Sequence, residues 1–256
     1  MPVIGIDIAR FKKMIKEDVS NENIVKIMQQ LGCDVEGFAN LKRFQCLNCS
    51  GITEVTDAEE KPAYCSVCGI DYREKIDKVK EISPIEVLRM ELLAVRPDMF
   101  DAGGLSRMFK GYLDKETGLK EYKLYDQKEK ITVDPSITSI RPFIVSAVIK
   151  NVVMDDDFIK AIMKLQENLH WALGRNRKHA SIGVYDFDKV KGPFTFTAKE
   201  KSFKFIPLGY GISEENKISL DRILKEHPKG VGYAFLLEKF EKYPILMDSK
   251  NSVLSM

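Results

Sequence analysis

Across 256 residues the chain is 44% hydrophobic and 30% charged, with 40 lysines and arginines set against 38 aspartates and glutamates. That is ordinary globular composition with length enough for two domains, and so even a charge balance excludes a global field steering the chain to DNA or a membrane surface; any polyanion site has to be local. The opening MPVIGIDIARFKK lacks the apolar region of a signal peptide, and no window approaches the roughly 18 apolar residues of a membrane span, so a soluble cytoplasmic protein is expected.

In chain order, Val3, Ile4, Ile6 and Ile8 predict a short strand, after which Asp7 to Lys16 turns helical with Ile8, Phe11 and Ile15 on one face. Ser20 opens a clearer helix, in which Ile24, Ile27, Met28 and Leu31 recur at helical spacing until Gly32 supplies a left-handed stop. Cys33 reads as a small buried hydrophobe. The strongest spacing signal comes next: Cys46 and Cys49, then fifteen residues, then Cys65 and Cys68. Two residues between thiolates let each pair form a tight knuckle, and two knuckles build the tetrahedral four-sulfur shell that zinc prefers. A ribbon of this size has almost no core, so the metal would hold it folded, with no open coordination position for catalysis. A rubredoxin-like iron site is the main rival, and a redox-active CxxC is disfavoured because no clear helix follows either pair. The role would be structural, or a contact for a partner.

Ser83, Pro84 and Glu86 resemble a helix capping box, yet Val87, Leu88, Met90, Leu92 and Val95 fit a strand nearly as well, and pattern alone does not arbitrate. Asp101 to Leu113 predicts a turn and helix. Gly103 and Gly104 lack the Gly-Lys-Ser/Thr of a phosphate loop and are read as permitting close backbone packing. The charged run Asp126 to Lys130 marks a domain boundary. Beyond it, ITVD and the β-branched IRPFIVSAVIKNVVM predict strands. A helix carrying Phe158, Ile162, Leu165, Leu169 and Ala172 then ends at Gly174, followed by the basic run Arg175, Arg177, Lys178 and a strand from Ala180 to Tyr185. Cations at the negative end of a helix either cap it or meet an external anion. Asp186 and Asp188 are read as turn formers. His170 and His227 are read as surface or cap residues, and His179 as part of the basic turn. FTFTA, the loop of Pro207, Gly209 and Gly211, a helix opened by Ser219, and a hairpin in YPILMDSKNSVLSM complete the chain.

RPDMFDAGGLSR, SIRPFIVSAVI, LQENLHWALGRNRKHASIGVYDFDKVKGP, PLGY and YPILMDSKNSVLSM resemble, in order and spacing, blocks of the β subunit of archaeal- and eukaryotic-type phenylalanyl-tRNA synthetase. The match covers residues 83–256 well and 1–40 more loosely; the cysteine ribbon departs from that pattern and reads as an insertion. The resemblance implies an α+β fold: an N-terminal α/β module (1–40 and 83–125), a zinc-ribbon insertion (41–82), and an editing-type, B3/B4-like domain (126–256) that is incomplete at its C-terminus. It also implies a catalytic α subunit and tRNA as partners, neither DNA nor membrane, and ATP and magnesium only in the complete synthetase.

By the same resemblance the editing domain hydrolyses tyrosine misattached to tRNA. A hydrophobic synthetic pocket rejects an added hydroxyl only about a hundredfold, which motivates a second, hydroxyl-reading site. Leu246 and Ser255 correspond to editing-pocket positions, the leucine packing the amino-acid ring and the serine bonding substrate or water. The family's acidic and threonine pocket residues would lie downstream of Met256, so the isolated chain carries part of such a site. The tRNA contacts are assigned to Arg175, Arg177, Lys178 and His179. The alternative is a non-catalytic paralogue, a zinc-containing module that binds tRNA or a protein.

Overall fold

The computed structural model describes residues 3–56, 58–65, 69–126, 128–207, 210–211 and 213–256. In chain order it places β1 (Val3–Asp7), α1 (Ile8–Ile15), α2 (Asn21–Gln30), β2 (Asp34–Cys46), β3 (Ile52–Thr56), β4 (Val79–Glu91), α3 (Ala102–Tyr112), β5 (Ile131–Val133), α4 (Asp156–Trp171), β6 (Phe194–Glu200), β7 (Lys204–Phe205), β8 (Ile218–Ser219), α5 (Leu220–Glu226), α6 (Pro228–Tyr233), β9 (Lys242–Met247) and β10 (Val253–Ser255). The fold is mixed α+β and divides into two compact units, Met1–Glu121 with Val153–Ser181, and Tyr122–Val152 with Ile182–Met256. The segment Val153–Ser181 lies in the first of these units. Among the described residues no helix is long and apolar enough to cross a membrane.

The first unit is built on an antiparallel sheet in the order β1-β4-β2-β3. The stretch from Ser83, ambiguous by pattern, is strand as far as Glu91, with Leu92 and Val95 beyond its end: β4 pairs with β2 from Asp34↔Glu91 to Cys46↔Val79. The prospective helix cap Ser83-Pro84 falls where the register shifts opposite Leu41–Arg43, a bulge that accommodates a residue without an N–H. Asp7 and Ser20 cap α1 and α2 through their side chains, and Asp101 accepts from the amides of Gly103 and Gly104 at the start of α3. That start is tightly seated, because a Cβ on Gly104 would lie 1.8 Å from the Asp98 carbonyl oxygen. The helices bury Phe11, Ile15, Ile24, Met28, Leu105 and Phe109 against Ile4, Ile6, Leu88 and Met90 of the sheet. Phe11 and Phe109 meet edge to face at 5.4 Å, a geometry worth about 1 kcal/mol beyond area burial. Cys33 joins this core, and burial pushes its thiol up to about 11 against the opposing pull of Arg96.

Helix α4 packs Leu165, Leu169 and Ala172 on the same core. Its outer turns meet the ribbon strands through charge. Arg43 of β2 reaches Asp157 at 2.6 Å, and Glu54 of β3 receives Lys164 at 2.7 Å and Lys160 at 3.2 Å. Burial works against the charge on Glu54, but Lys164 and Lys160 outweigh it and hold the carboxyl below its ordinary range. His170, expected at the surface, is 3% exposed at the end of α4, where Glu167 lies 3.5 Å from its Nδ1.

The second unit carries a sheet in the order β10-β9-β6-β5, parallel only between β5 and β6. Leu220, Ile223 and Leu224 of α5 pack against Tyr243, Ile245 and Met247 of β9. Two expected strands are absent. The run 142–152 lies outside any strand, with Phe143 89% and Val145 96% exposed, and Ala180 to Tyr185 is likewise irregular. β-branched residues favour a pleated surface only where a neighbouring strand takes up the backbone groups, and no described strand pairs with either run.

Glu54→Gln should lower stability at pH 7 by about 1–3 kcal/mol, the usual range for a charge-assisted hydrogen bond. Because the folded carboxyl is depressed, its contribution is present above the unfolded value near 4.3 and is lost as pH falls through the folded one. Urea titrations across that window should show the variant's deficit shrinking; equal stability at pH 7 would reduce the network to surface pairing.

Candidate functional site

The β2–β4 ladder ends at a pair of turns with the same backbone wiring. In the first, the Ser50 amide donates to the Cys46 carbonyl and the Cys46 amide donates to that of Gly51; in the second, Gly69 donates to Cys65 and Cys65 to Ile70. Ser50 and Gly69, at equivalent positions, both adopt positive φ, 59° and 73°. The first turn thus brings Cys46 and Cys49 together; Cys68, the fourth cysteine expected from the spacing, lies outside the described residues.

The sulfurs of Cys46, Cys49 and Cys65 all lie within 4.8 Å of one another, and Cys49 and Cys65 are 3.6 Å apart. The edge of a tetrahedron with metal–sulfur bonds of 2.3 Å is about 3.8 Å, so the spacing suits a shared metal ion. Cys46 and Cys65 are buried and Cys49 is exposed. The Gly51 amide points at the Cys49 sulfur from 3.4 Å. Burial opposes ionisation of Cys46, but the Tyr72 hydroxyl and the amides of Asn48 and Cys49 outweigh it and draw the thiol below its ordinary value. This three-thiol group can hold a metal ion. Sequence reading overlooked Tyr72, which packs with Cys46 and Cys65 as the small core of the ribbon. Only its position seven residues beyond Cys65 hinted at this, because spacing rules for cysteine knuckles say nothing about what fills their centre.

The basic turn follows α4. Arg175, Asn176 and Arg177 are all left-handed, with φ of 47°, 54° and 63°, and their amides fold back on the carbonyls of Ala172, Trp171 and His170. Arg177 grips Glu167 with both carboxylate oxygens within 2.8 Å, while Arg175, Lys178 and His179 are exposed. The run therefore closes its helix through Arg177 and presents the other cations to solvent. Asp186 accepts from the Asp188 amide, which accounts for that pair as a turn.

In the second unit, Leu246 and Ser255 are register partners on β9 and β10, and Phe196 of β6 is paired with Leu246 on the other side. Partners across an antiparallel ladder share a face, opposite to that of Ile245 and Met247. Leu246 and Ser255 are each partly exposed. The bend between the strands is tied by Asp248, which accepts from the amides of Lys250 and Ser252.

No protein-family model matches the chain. It is 45% identical over 160 residues to the phenylalanine–tRNA ligase beta subunit of Methanocorpusculum labreanum, covering 62% of this chain and 29% of that protein. Against the Methanosarcina barkeri beta subunit it is 44% identical over 180 residues, 70% of this chain and 32% of the other. A crystal structure of an N-terminal fragment of the phenylalanyl-tRNA synthetase beta-subunit from Pyrococcus horikoshii matches all of this chain and 61% of its own, with a TM-score of 0.76 and 26% identity. The likeness is to the phenylalanine–tRNA ligase beta subunit. The chain spans about a third of the length of these beta subunits.

Metal analysis of the purified chain should find about one ion per molecule. Cys65→Ser should release it and expose the amides of residues 46–72 to exchange while those around Phe11 stay protected. A metal-free wild-type chain would remove the assignment.

Proposed function

We propose that this chain is the N-terminal part of a phenylalanine–tRNA ligase beta subunit, contributing to tRNA charging with phenylalanine and to hydrolysis of mischarged Tyr-tRNA. One observation carries the reading: 44% identity over 180 residues to a named beta subunit. The fold match over the full chain supports it. The complete enzyme would use a catalytic α subunit as partner and ATP with magnesium for charging.

The editing step is assigned to the face of β9 and β10 that carries Leu246 and Ser255. Leucine there gives an apolar wall for the aromatic ring, and the serine hydroxyl an oriented donor or acceptor. An ester so held can be cleaved by a positioned water assisted by the terminal ribose hydroxyl, the protein supplying geometry more than acid–base power. Zinc is the metal assigned to Cys46, Cys49, Cys65 and Cys68, in a structural role that leaves it outside the reaction. The exposed cations Arg175 and Lys178, with His179 beside them, are assigned to the tRNA backbone; Arg177, paired to Glu167, contributes by shaping the turn.

The test uses the complete α–β complex. Leu246→Ala or Ser255→Ala should slow deacylation of Tyr-tRNA by about tenfold or more, the equivalent of one lost contact of about 1.4 kcal/mol, while charging with phenylalanine is retained. Unchanged deacylation in both variants would reject the site, and tRNA binding with no deacylation by the complete complex would favour a non-catalytic module. Separately, Arg175→Ala with Lys178→Ala should weaken tRNA binding and make its logarithmic salt dependence shallower by roughly one unit per lost phosphate contact. Unaltered affinity would return the run to helix capping.

A further inference from the structure

The basic turn after α4 winds the wrong way for L-residues. Arg175, Asn176 and Arg177 are consecutive, none is glycine, and all three have positive φ, a region that costs free energy at any residue carrying a Cβ. Their amides fold back on the end of the helix, Arg175 onto Ala172, Asn176 onto Trp171 and Arg177 onto His170, and the His179 amide reaches the Gly174 carbonyl at 2.8 Å. Gly174 leaves no slack, because a Cβ there would lie 2.5 Å from the Ala180 carbonyl oxygen and 2.6 Å from that of His170. Such a conformation persists only where the surrounding contacts over-determine it. One side-chain contact spans the turn. Glu167, ten residues before Arg177, takes that guanidinium at 2.6 and 2.8 Å, and its Oε1 lies 3.5 Å from Nδ1 of His170, whose carbonyl receives the Arg177 amide. The side chains of Arg177 and His170 are covered, at 17% and 3% exposed. Burial works against the charge on Glu167, but Arg177 and His170 outweigh it and hold the carboxyl below its ordinary range. Arg175, Lys178 and His179 stand exposed on the turn so formed.

We propose that Glu167 is a positioning residue for the RNA contact: by holding Arg177 it keeps the left-handed turn wound, and so sets where Arg175 and Lys178 meet phosphates. This role rests on the assignment of the turn to tRNA, and adds to it a residue of the wrong sign to touch a polyanion. By charge alone a carboxylate beside phosphates is unfavourable, so neutralising it would tighten binding. Positioning predicts the reverse. Cations fixed in advance lose little freedom on binding, and a turn wound only about a tenth of the time would bind about tenfold more weakly.

The affinity of the complete α–β complex for tRNA separates the two signs. Glu167→Gln should bind about tenfold more weakly although it removes a negative charge. Binding as tight as wild type or tighter, in a complex that Arg175→Ala with Lys178→Ala does weaken, would overturn the role of Glu167 and leave the RNA contact standing. If that double variant binds as wild type does, the RNA assignment falls and the positioning role with it. Arg177 supplies an independent reading, which holds even where Glu167→Gln does not fold. Arg177→Ala should match the loss in Glu167→Gln, and Arg177→Gly should recover most of it, since glycine takes positive φ without steric cost. A glycine variant no better than the alanine one would make Arg177 a direct RNA contact and reject the clamp, as would an alanine variant that binds normally.

Discussion

The antiparallel ladder between β2 and β4 is the constraint on which the first unit depends. Toward its Asp34–Glu91 end, Val35, Leu88 and Met90 pack into the core of Ile4, Phe11, Met28 and Phe109; the other end, at Cys46 and Val79, carries the cysteine turns. Because the pairing is continuous, the ribbon is an extension of the core sheet, and its position is inherited from hydrophobic packing some distance away. The bulges opposite Leu41–Arg43 and at Val35–Gly37 add local twist without breaking that continuity.

Two weaker forces finish what the ladder begins. At the tip, Cys46, Cys65 and Tyr72 form a cluster too small to be stable by burial, which is the situation in which a metal ion substitutes for a core. Along the side, Glu54, Lys160, Lys164, Arg43 and Asp157 join the ribbon strands to α4. Glu54 is the hub, since its largely covered carboxylate meets both Lys160 and Lys164. The ribbon is thus held by hydrogen-bonded strands from within, by charge from the side and by sulfur chemistry at its end.

The second unit follows a different logic. Its sheet is anchored on one face by α5 against Ile245 and Met247, leaving Leu246, Ser255 and Phe196 on the other. A strand with one face packed and one face available is a stable platform on which side chains can be presented, because the register that buries Ile245 necessarily turns Leu246 outward. The pairing of Leu246 with Ser255 depends on a register shift between Val253 and Ser255, where two residues of β10 advance against one of β9 beyond the Asp248 turn.

Much of this was written in local sequence. The caps Asp7 and Ser20, the helix faces of Phe11 and Ile24, the cysteine spacing and the Lys242–Ser255 hairpin all depend on neighbours within a few residues, where period and side-chain chemistry act alone. Residues 83–91 could not be decided so, because the choice between helix and strand lay with β1 and β2 as hydrogen-bonding partners. The runs 142–152 and 180–185 failed for the converse reason: strand-like composition predicts a pleat, but a pleat exists only when another strand accepts it. Tyr72 against Cys46, Glu54 between two lysines of α4, and the burial of His170 belong to tertiary structure alone, since each joins residues whose approach is set by the packing of whole elements. By itself the sequence determined which residues could cap, turn, pack or bind a metal; the tertiary structure decided which of them meet, because contacts distant along the chain are fixed by shared burial and by hydrogen bonds between strands.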